Sequence, residues 1–403
     1  MTPFERRASA ALAGLFATRM LGLFLLMPVF AIAAHGLVGG DDPARIGLAL
    51  GMYGLTQAVM QIPFGLASDR FGRKPVVLTG LLLFIAGSIV CAVTNDIFWV
   101  TVGRAIQGSG AISAAVTAWL ADLTRDQVRT KAMAMVGSSI GLAFAASLIL
   151  APLLVGLGGL SGLFWAITLL GLAAFIVALW LVPAPTRSAG VAMKRVPFRD
   201  IARQRDLMRF NFGVFVLHLV QVALFVVVPG LLARTGTLDA AQLWKVYLPV
   251  IVVSFAFMVP IVFVAEKRRA HRNALRASVG ALVVICALLP LASARFGTLV
   301  VGLTAFFVAF NVLEALQPSM VSRLAPPEFK GLALGFYNTS QAAGLFAGGA
   351  LGGWLAGLGG STAVFLGATG LAGLWLLAAW HMRPLPPPRP STAAVHGRLT
   401  DTA

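Results

Sequence analysis

The sequence alternates long apolar runs with short segments that hold charged residues, glycine or proline. A helix needs about 20 apolar residues to cross roughly 30 Å of hydrocarbon, and the runs reach that length. The runs predict helices at about 8–34, 45–67, 75–94, 97–121, 129–156, 161–182, 207–233, 241–264, 273–293, 297–322, 330–357 and 361–381. We therefore expect an all-α membrane protein with twelve transmembrane helices.

Residues 183–206 form the longest polar stretch between predicted helices and divide the set into two groups of six. We expect a six-helix bundle over residues 1–182, a basic cytoplasmic linker over 183–206, a second bundle over 207–382 and a disordered, proline-rich cytoplasmic tail over 383–403. Residues 47–58 and 331–342 agree at eight of twelve positions. The agreement fits inverted three-helix repeats, although two helices rich in Gly, Ala and Leu can also agree by chance.

Composition supports a membrane protein. Hydrophobic residues make up 59% of the chain and charged residues only 11%, with a mean hydropathy of +0.89. A soluble domain carries about 25% charged residues, so this chain has too few to cover a water-facing surface.

The net charge of +17 does not indicate a nucleic-acid partner, because the basic residues gather between apolar runs. With the N-terminus inside, 25 of the 31 lysines and arginines fall in cytoplasmic segments and four in outer segments. This asymmetry predicts a bacterial inner-membrane protein with both termini in the cytoplasm. Arg6 and Arg7 precede an apolar stretch without a cleavage site, so we expect the first helix to be retained as a signal anchor.

The chain lacks the motifs of the main competing classes. Cys91 and Cys286 both lie inside apolar runs and form neither a disulfide framework nor a CxxC metal pattern. The G-x-x-x-x-G-K-[ST] and H-E-x-x-H motifs are absent. We therefore predict no enzyme activity, no bound metal, no cofactor and no use of ATP as the energy source.

The segment GLASDRFGRKPV (65–76) lies between the second and third predicted helices. Its glycines permit a tight turn and close helix approach. An ordinary cytoplasmic loop explains its bases but neither the acid nor the glycines. The segment resembles the Major Facilitator Superfamily pattern G-x-x-x-D-R-x-G-R-[RK] at every fixed position. Residues 51–65, 103–116 and 121–134 are similar to the YajR-like branch of drug/proton antiporters.

The resemblance implies the superfamily's fold of two pseudo-symmetric halves and a conformational switch. The switch would consist of Gly65, Asp69, Arg70, Gly72, Arg73, Lys74 and Asp122. Asp69 would face the start of the helix at 330, near Lys330 and Gly331, and Arg73 would pair with Asp122. These contacts would form only when the halves close on the cytoplasmic side. The corresponding segment 265–272 lacks the glycines, so a symmetric latch is not expected.

Three ionisable residues, Arg19, Arg104 and Glu314, lie inside predicted helices. Each charge at membrane depth costs about 2.5–3.5 kcal/mol, so such residues face a watery path or a partner. Glu314 lies on a polar stripe with Asn311 and Gln317. A buried carboxylate favours its protonated form, which suits proton binding. Two interpretations remain open, a proton site or a structural pair of Glu314 with one of the arginines.

The resemblance also assigns roles within the helices. Arg104 opens the sequence RAIQG, which is similar to the superfamily's R-x-x-Q-G pattern, and would couple proton movement to transport. Gly137 and Gly141 fit the start of the glycine-rich pattern of antiporters. Many drug antiporters carry an acid in the first helix, whereas this chain has Arg19 there, with Pro28 as the expected kink.

The polar residues of several other predicted helices can line a substrate cavity or bridge helices by hydrogen bonds. The candidates are Tyr53, Gln57, Gln61, Gln107, Asn211, His218, Gln221, Asn311, Tyr337, Asn338 and Gln341. Interspersed Phe and Met would supply adaptable apolar walls.

These patterns predict a proton-coupled secondary transporter that exports small amphipathic compounds or drugs by alternating access. A metabolite exporter or proton symporter of the same superfamily is the main alternative, and a membrane receptor or scaffold is the alternative outside transport. The expected partners are a small-molecule substrate, protons and the lipid bilayer. The resemblance implies a monomer.

Overall fold

The computed structural model describes residues 1–183, 204–325 and 330–382. Most of the predicted linker and the whole predicted tail therefore lie outside the described residues. Within the described residues the secondary structure is helical, apart from an isolated bridge between Val38 and Asp96. This confirms an all-α chain.

The helices follow the apolar runs. They are α1 (Pro3–Phe24), α2 (Phe30–Ala33), α3 (Pro43–Phe71), α4 (Arg73–Val93), α5 (Ile97–Ser109), α6 (Ser113–Asp122), α7 (Asp126–Ile176), α8 (Arg205–Gly236), α9 (Trp244–Lys267), α10 (His271–Ala292), α11 (Phe296–Leu324) and α12 (Lys330–Trp380). Short 3₁₀ turns occupy Ala34–Gly36 and Ala240–Gln242, and a π turn, Val177–Leu181, follows α7.

Two 51-residue helices, α7 and α12, are each interrupted by a glycine pair with non-helical backbone. Gly159 and Gly360 adopt φ of +62°, a conformation that glycine tolerates without strain. A Cβ added to Gly367 would lie 2.7 Å from the side chain of Leu355. Twelve residues of continuous helix would hold these positions about 18 Å apart. The chain therefore reverses at the glycine pair in α12, where the sequence predicts two helices.

Two other boundaries differ from the prediction. The first predicted helix, 8–34, is broken after Phe24, and α2 begins only after Pro28, whose ring removes a backbone donor. The predicted helix 97–121 is broken between α5 and α6 at Gly110. A Cβ on Gly110 would lie 2.2 Å from the carbonyl oxygen of Gly80, so this break lets α5 lie against the backbone of α4.

Among the described residues, seven helical stretches are long and apolar enough to cross a membrane. They are Arg73–Val93, Lys131–Leu181, Arg205–Gly236, Ala240–Lys267, His271–Ala292, Phe296–Leu324 and Leu332–Trp380. Large apolar side chains such as Leu142, Leu157 and Leu291 are exposed on the surface. A water-soluble protein rarely exposes so much apolar surface, so these faces fit a lipid environment.

The first half (residues 1–183) and the second half (204–382) pack tightly at one end, which we call the closed end. There α3 and α12 touch through backbone. A Cβ on Gly47 would lie 2.1 Å from the carbonyl oxygen of Gly349, and one on Gly51 would lie 2.7 Å from that of Phe346. Tyr247 donates a hydrogen bond to the Pro28 carbonyl oxygen across the halves, at 3.4 Å.

The opposite end, which carries the N-terminus and Gly72, is packed differently. A Cβ added to Gly137, Gly141 or Gly335 would meet no atom within 4 Å. The ion pairs of the described residues at this end, such as Arg73–Asp122 and Arg323–Glu266, each join helices of the same half. The two halves therefore meet at the closed end and diverge toward the N-terminal end.

Candidate transport site

Two arginines and a tyrosine form the polar centre of the first half. Arg19 on α1 and Arg104 on α5 are each only 1% exposed. Their guanidinium carbons lie 5.6 Å and 4.7 Å from the centroid of the Tyr53 ring on α3. Cation–π attraction of this kind stabilises a desolvated guanidinium. The aromatic ring thus holds both cations at the centre of three helices.

The hydrogen-bond partners of both arginines are neutral. Arg19 donates to the Ser113 hydroxyl at 3.2 Å, and Arg104 donates to the Gln107 side-chain oxygen at 2.8 Å. Among the described residues, neither guanidinium has a carboxylate within ion-pair distance. The interpretation of Glu314 as the structural partner of an arginine is therefore wrong for this structure.

Glu314 on α11 instead lies in the second half, beside His218 on α8. Its carboxylate oxygen Oε2 is 3.6 Å from His218 Nε2, and Oε1 is 3.5 Å from the Gln341 amide nitrogen on α12. The Glu314 side chain is 30% exposed, whereas that of His218 is buried at 3%. One face of the carboxylate can therefore exchange with water while the other meets the imidazole.

The contacts of His218 define its tautomer. Nδ1 lies 3.0 Å from the Val214 carbonyl oxygen, which can only accept, so Nδ1 carries a proton. Nε2 lies 2.7 Å from the Gln341 amide nitrogen, which donates to it. A second proton on Nε2 would require the Gln341 amide to turn. A proton on Nε2 would then be accepted by the oxygen of the turned Gln341 amide.

The predicted polar stripe of α11 separates into three environments. Asn311 donates to the Ser254 hydroxyl on α9 at 3.0 Å, and Gln317 is buried beside Gly213 and Trp375. Positions spaced by three rotate by about 60° per step on a helix, which turns their side chains toward different neighbours. Only Glu314 of the three contacts His218.

Two predicted cavity residues bridge helices. Asn311 makes the bond to Ser254 described above. Gln107 is fully buried and donates to the Ser88 hydroxyl at 2.7 Å while it accepts from Arg104. Both are interhelical hydrogen bonds, so the structure supports the alternative role of these two residues as bridges between helices, and their place in a cavity stays a prediction.

Most of the other predicted cavity residues keep polar atoms without a partner. Tyr53, Gln57 and Gln61 recur every four residues and share one face of α3. Among the predicted cavity residues, the buried polar atoms without a hydrogen bond are Tyr53 Oη, Gln57 Oε1, both terminal atoms of Gln61, Gln221 Oε1 and Tyr337 Oη; outside this set, Glu314 Oε2 and both terminal atoms of Gln317 are also without one. Asn211 is buried, and Asn338 and Gln341 are half-buried. Such atoms are costly unless water or a ligand reaches them.

An aromatic cluster joins the two halves beside these groups. Phe144 on α7 stacks edge-on with Phe24 of its own half at 5.2 Å, and contacts Phe307 and Phe310 on α11 at 5.8 and 5.9 Å. Phe310 also contacts the His218 ring at 5.8 Å. The sequence predicted apolar walls in general but not this cluster, because its members come from distant helices.

The 65–76 segment is a sharp corner rather than a loop. Helix α3 continues to Phe71, and only Gly72, with φ of +98°, separates it from α4. The predicted turn at Gly72 is confirmed. Gly65 lies inside α3, where an added Cβ would make only an ordinary contact with Ala114, so the structure does not require glycine there.

The charged side chains of the corner form a compact network. Arg73 donates to Asp69 and, at 3.1 Å, to Asp122 on α6. Lys74 donates to the Leu179 carbonyl oxygen at 2.7 Å, where a cation stabilises a helix C-terminus. The exposed Arg70 lies 5.3 Å from the Phe71 ring centroid.

This network corrects the predicted switch in one respect. Arg73 and Asp122 belong to the same half and pair here while the halves diverge at this end, so their contact does not require closure. The predicted contact of Asp69 with Lys330 and Gly331 lies outside the described side chains. Gly137 and Gly141, which fit the start of the glycine-rich antiporter pattern, face open space.

The second half carries a related ion network that sequence comparison of the two corners did not find. Arg323 at the end of α11 donates to Glu266 at 2.6 Å and lies 3.3 Å from His271 Nε2. Here the base comes from α11, whereas in the first half it comes from α4. The glycine pattern of the first corner is absent from 265–272, so the sequence did not predict this network. In the first half the base, Arg73, lies at the corner and the acid, Asp122, on the packed helix; in the second half the acid, Glu266, lies at the corner and the base, Arg323, on the packed helix.

Another unpredicted ion pair ties the N-terminus to α7. Arg125 donates to Glu5 at 2.8 Å, and this hydrogen bond raises the pKa of Arg125 above its ordinary value. Thr2 and Glu5 also form a reciprocal capping box at the start of α1. These contacts hold α1 against the first turn of α7.

Comparisons with known proteins agree with this architecture. The profile of the Major Facilitator Superfamily matches residues 12–320 and 298–400. The chain is 44% identical over 391 residues to the Inner membrane transport protein YajR of Escherichia coli (strain K12), covering 96% of this chain and 85% of that protein. It is 26% identical over 345 residues to the Multidrug resistance protein MdtH of Yersinia enterocolitica, covering 83% of each.

Solved structures show the same fold. The crystal structure of a D-xylose-proton symporter superposes with a TM-score of 0.73 at 15% identity, covering 96% of this chain and 98% of that one. At that identity the likeness concerns the fold alone. Together with the profile match and the apolar helices, it shows that this chain is a membrane transporter, not an enzyme, and a member of the Major Facilitator Superfamily.

Proposed function

We propose that this protein is a proton-coupled exporter of small amphipathic compounds that works by alternating access. The observation that carries the proposal is the contact of Glu314 with His218 and Gln341. A carboxylate that is reached by water and adjoins an imidazole can bind a proton from one side and release it to the other. The relative YajR is named an inner membrane transport protein and MdtH a multidrug resistance protein, and the two names together support transport of drug-like compounds.

The site is linked directly to the contact between the halves. Gln341 contacts His218, and the next residue, Ala342, lies at the seam with α3, where a Cβ on Gly54 would be 2.5 Å from its carbonyl oxygen. A proton on His218 Nε2 would turn the Gln341 amide so that its oxygen accepts from the imidazole. The proposed proton site and the contact between the halves are therefore neighbours on α12.

The same proposal includes a topology of twelve crossings in the bacterial inner membrane, with both termini in the cytoplasm and a monomer as the working unit. The crossings would be α1 with α2, α3, α4, α5 with α6, two in α7, then α8, α9, α10, α11 and two in α12. The reversal of α12 at Gly360 and the matching glycine pair in α7 support this count. The closed end would then face the periplasm.

The test is Glu314→Gln, which keeps the shape of the side chain but cannot bind and release a proton. A thermal-shift screen of drugs, sugars and amino acids first identifies a ligand for the purified protein. Proton release upon addition of that ligand is then followed with a pH-sensitive dye in weakly buffered detergent solution. We expect release from the wild-type protein and none from Glu314→Gln.

Asp41→Asn is the matched control, because it removes an exposed carboxylate that pairs with His35 away from the transport site. It should release protons like the wild type. Proton release that persists in Glu314→Gln would remove Glu314 from the proton path. In proteoliposomes, substrate movement driven by a proton gradient in the direction of the gradient would indicate a symporter instead of an exporter.

A further inference from the structure

We propose that the transported compound is an amphipathic anion, with its carboxylate, sulfonate or phosphate group facing Arg19 and Arg104 and its apolar body facing the aromatic cluster. The proposal rests on the proposed transport function and names the substrate class of the same site. The carrying observation is that two fully buried guanidinium groups lack a carboxylate partner among the described residues.

The charge balance of the interior favours an anion. Arginine stays protonated inside proteins, so Arg19 and Arg104 together contribute two positive charges. The carboxylate of Glu314 lies in the other half, 3.6 Å from His218 and 3.5 Å from the Gln341 amide nitrogen, and pairs with neither arginine. A buried charge without a counter-ion is unfavourable, and neutral hydroxyl or amide partners and a tyrosine ring neutralise none of it. A bound anion would neutralise this positive charge.

The hydrogen-bonding groups around the arginines point the same way. Among the two arginines and the adjoining Tyr53, the unpartnered buried donors are Arg19 Nε and Nη2, Arg104 Nε and the Tyr53 hydroxyl. Further along the same face of α3, Gln57 has an unpartnered amide oxygen, and Gln61 has both an unpartnered nitrogen and an unpartnered oxygen. Donors are therefore in excess. An anionic oxygen group accepts several hydrogen bonds and donates none, which matches this excess.

The apolar part of the ligand has an aromatic surface about one and a half turns further along α1. Phe24 lies five residues after Arg19, a rise of about 7.5 Å along the helix axis and a rotation of about 140° around it, so a ligand that reaches both must extend along and partly around this helix. Phe24 contacts Phe144, which in turn contacts Phe307 and Phe310 of the second half. A molecule that bridges the donors and this cluster would touch both halves. It would thus sense the movement that alternating access requires.

The experiment compares three ligands of one shape and different charge: naphthoate, naphthamide and naphthylmethylammonium. Binding to the purified protein in detergent is measured at fixed pH from the shift of the unfolding midpoint with ligand concentration. We expect naphthoate to bind more tightly than either of the other two. Arg104→Gln and Arg19→Gln should each weaken naphthoate binding by at least about tenfold, since each removes one nearby charge.

Two further variants distinguish the loss of a positive charge at the site from a general effect of substitution on the fold. Arg104→Lys keeps the charge and should keep most of the naphthoate preference, and Arg45→Gln removes an exposed arginine and should change nothing. Equal or tighter binding of naphthamide or naphthylmethylammonium, or no binding of naphthoate, would overturn the anion proposal. The comparison of the three ligands with the wild-type protein tests the anion proposal by itself, even if a variant fails to fold. Because no proton gradient is present, the outcome is independent of the proton-release test on Glu314.

Discussion

The charged residues at membrane depth differ in sign between the two halves: the first half holds two bases and the second half holds the acid. Arg19 and Arg104 flank Tyr53 in the first half, while Glu314 meets His218 in the second. The sequence identified the three charged residues because charges inside apolar runs are costly and rare. It could not pair Glu314 with His218, because 96 residues separate them and only helix packing brings them to 3.6 Å.

The corner residue Asp69 provides a prediction at this scale. In Asp69→Asn, Arg73 loses one of its two carboxylate partners but keeps Asp122. The free energy of unfolding should change by less than about 1 kcal/mol, as expected for an exposed pair. Turnover in proteoliposomes should fall several-fold, and a Gly335→Cys reporter should label faster, because Asp69 would no longer stabilise closure at the N-terminal end.

The control for this variant is Asp239→Asn, which removes an exposed acid between α8 and α9. Its turnover and labelling rate should match the wild type. Asp69→Asn protein that cycles at the wild-type rate would contradict the role of this corner as a latch.

At the scale of helices, local signals located most boundaries to within a few residues. Gly72 ends α3, the glycine pair at Gly159 divides α7, and the Asp96 side chain caps α5 by accepting from the Phe98 amide. The break between α5 and α6 was missed because long-range packing interrupts an apolar run there. The break after α1 has a local cause, Pro28, where the sequence predicted a kink but not the end of the helix. The close contact of Gly110 with Gly80 is invisible to any local pattern.

The seam between α3 and α12 gives a prediction for glycine. In Gly349→Ala the new Cβ would lie 2.3 Å from the Gly47 carbonyl oxygen, so the helices must separate. We expect a loss of about 1–3 kcal/mol in the stability of this closed end, as for overpacked sites. Gly357→Ala on the same helix, where a Cβ meets no atom within 4 Å, should be neutral or stabilising by about 0.4–1 kcal/mol.

Thermal unfolding of both alanine variants in detergent measures this difference. The Gly349→Ala protein should also label more readily at cysteines placed at the closed end. Equal unfolding midpoints for the two variants would show that the seam does not depend on glycine.

For the whole molecule, the glycine seam and the Tyr247–Pro28 bond bring the halves together at the closed end, while the N-terminal end stays apart. Repeated features in each half support a common architecture. A glycine pair reverses both α7 and α12, and an ion network closes the N-terminal end of each half. A transporter that opens to one side at a time needs this arrangement of two rigid units about a shared centre.

The orientation of the molecule in the membrane can be tested with reporter fusions. A fluorescent protein should be active when fused within residues 183–206, and alkaline phosphatase should be active when fused at Asp239, because the basic residues favour the cytoplasm. Phosphatase activity within residues 183–206 would reverse the proposed topology. Each reporter is fused at both sites, so that an inactive fusion can be compared with an active one at the same site and poor expression can be recognised.

The sequence by itself determined the all-helical membrane character, most helix ends and the membrane-depth charges, because each depends on hydrophobicity, glycine or charge within a short stretch of chain. Tertiary structure alone decided which of those charges meet, that Gln107 and Asn311 bridge helices, and at which end the halves close. These features depend on side chains brought together from distant helices, and no local pattern encodes that packing.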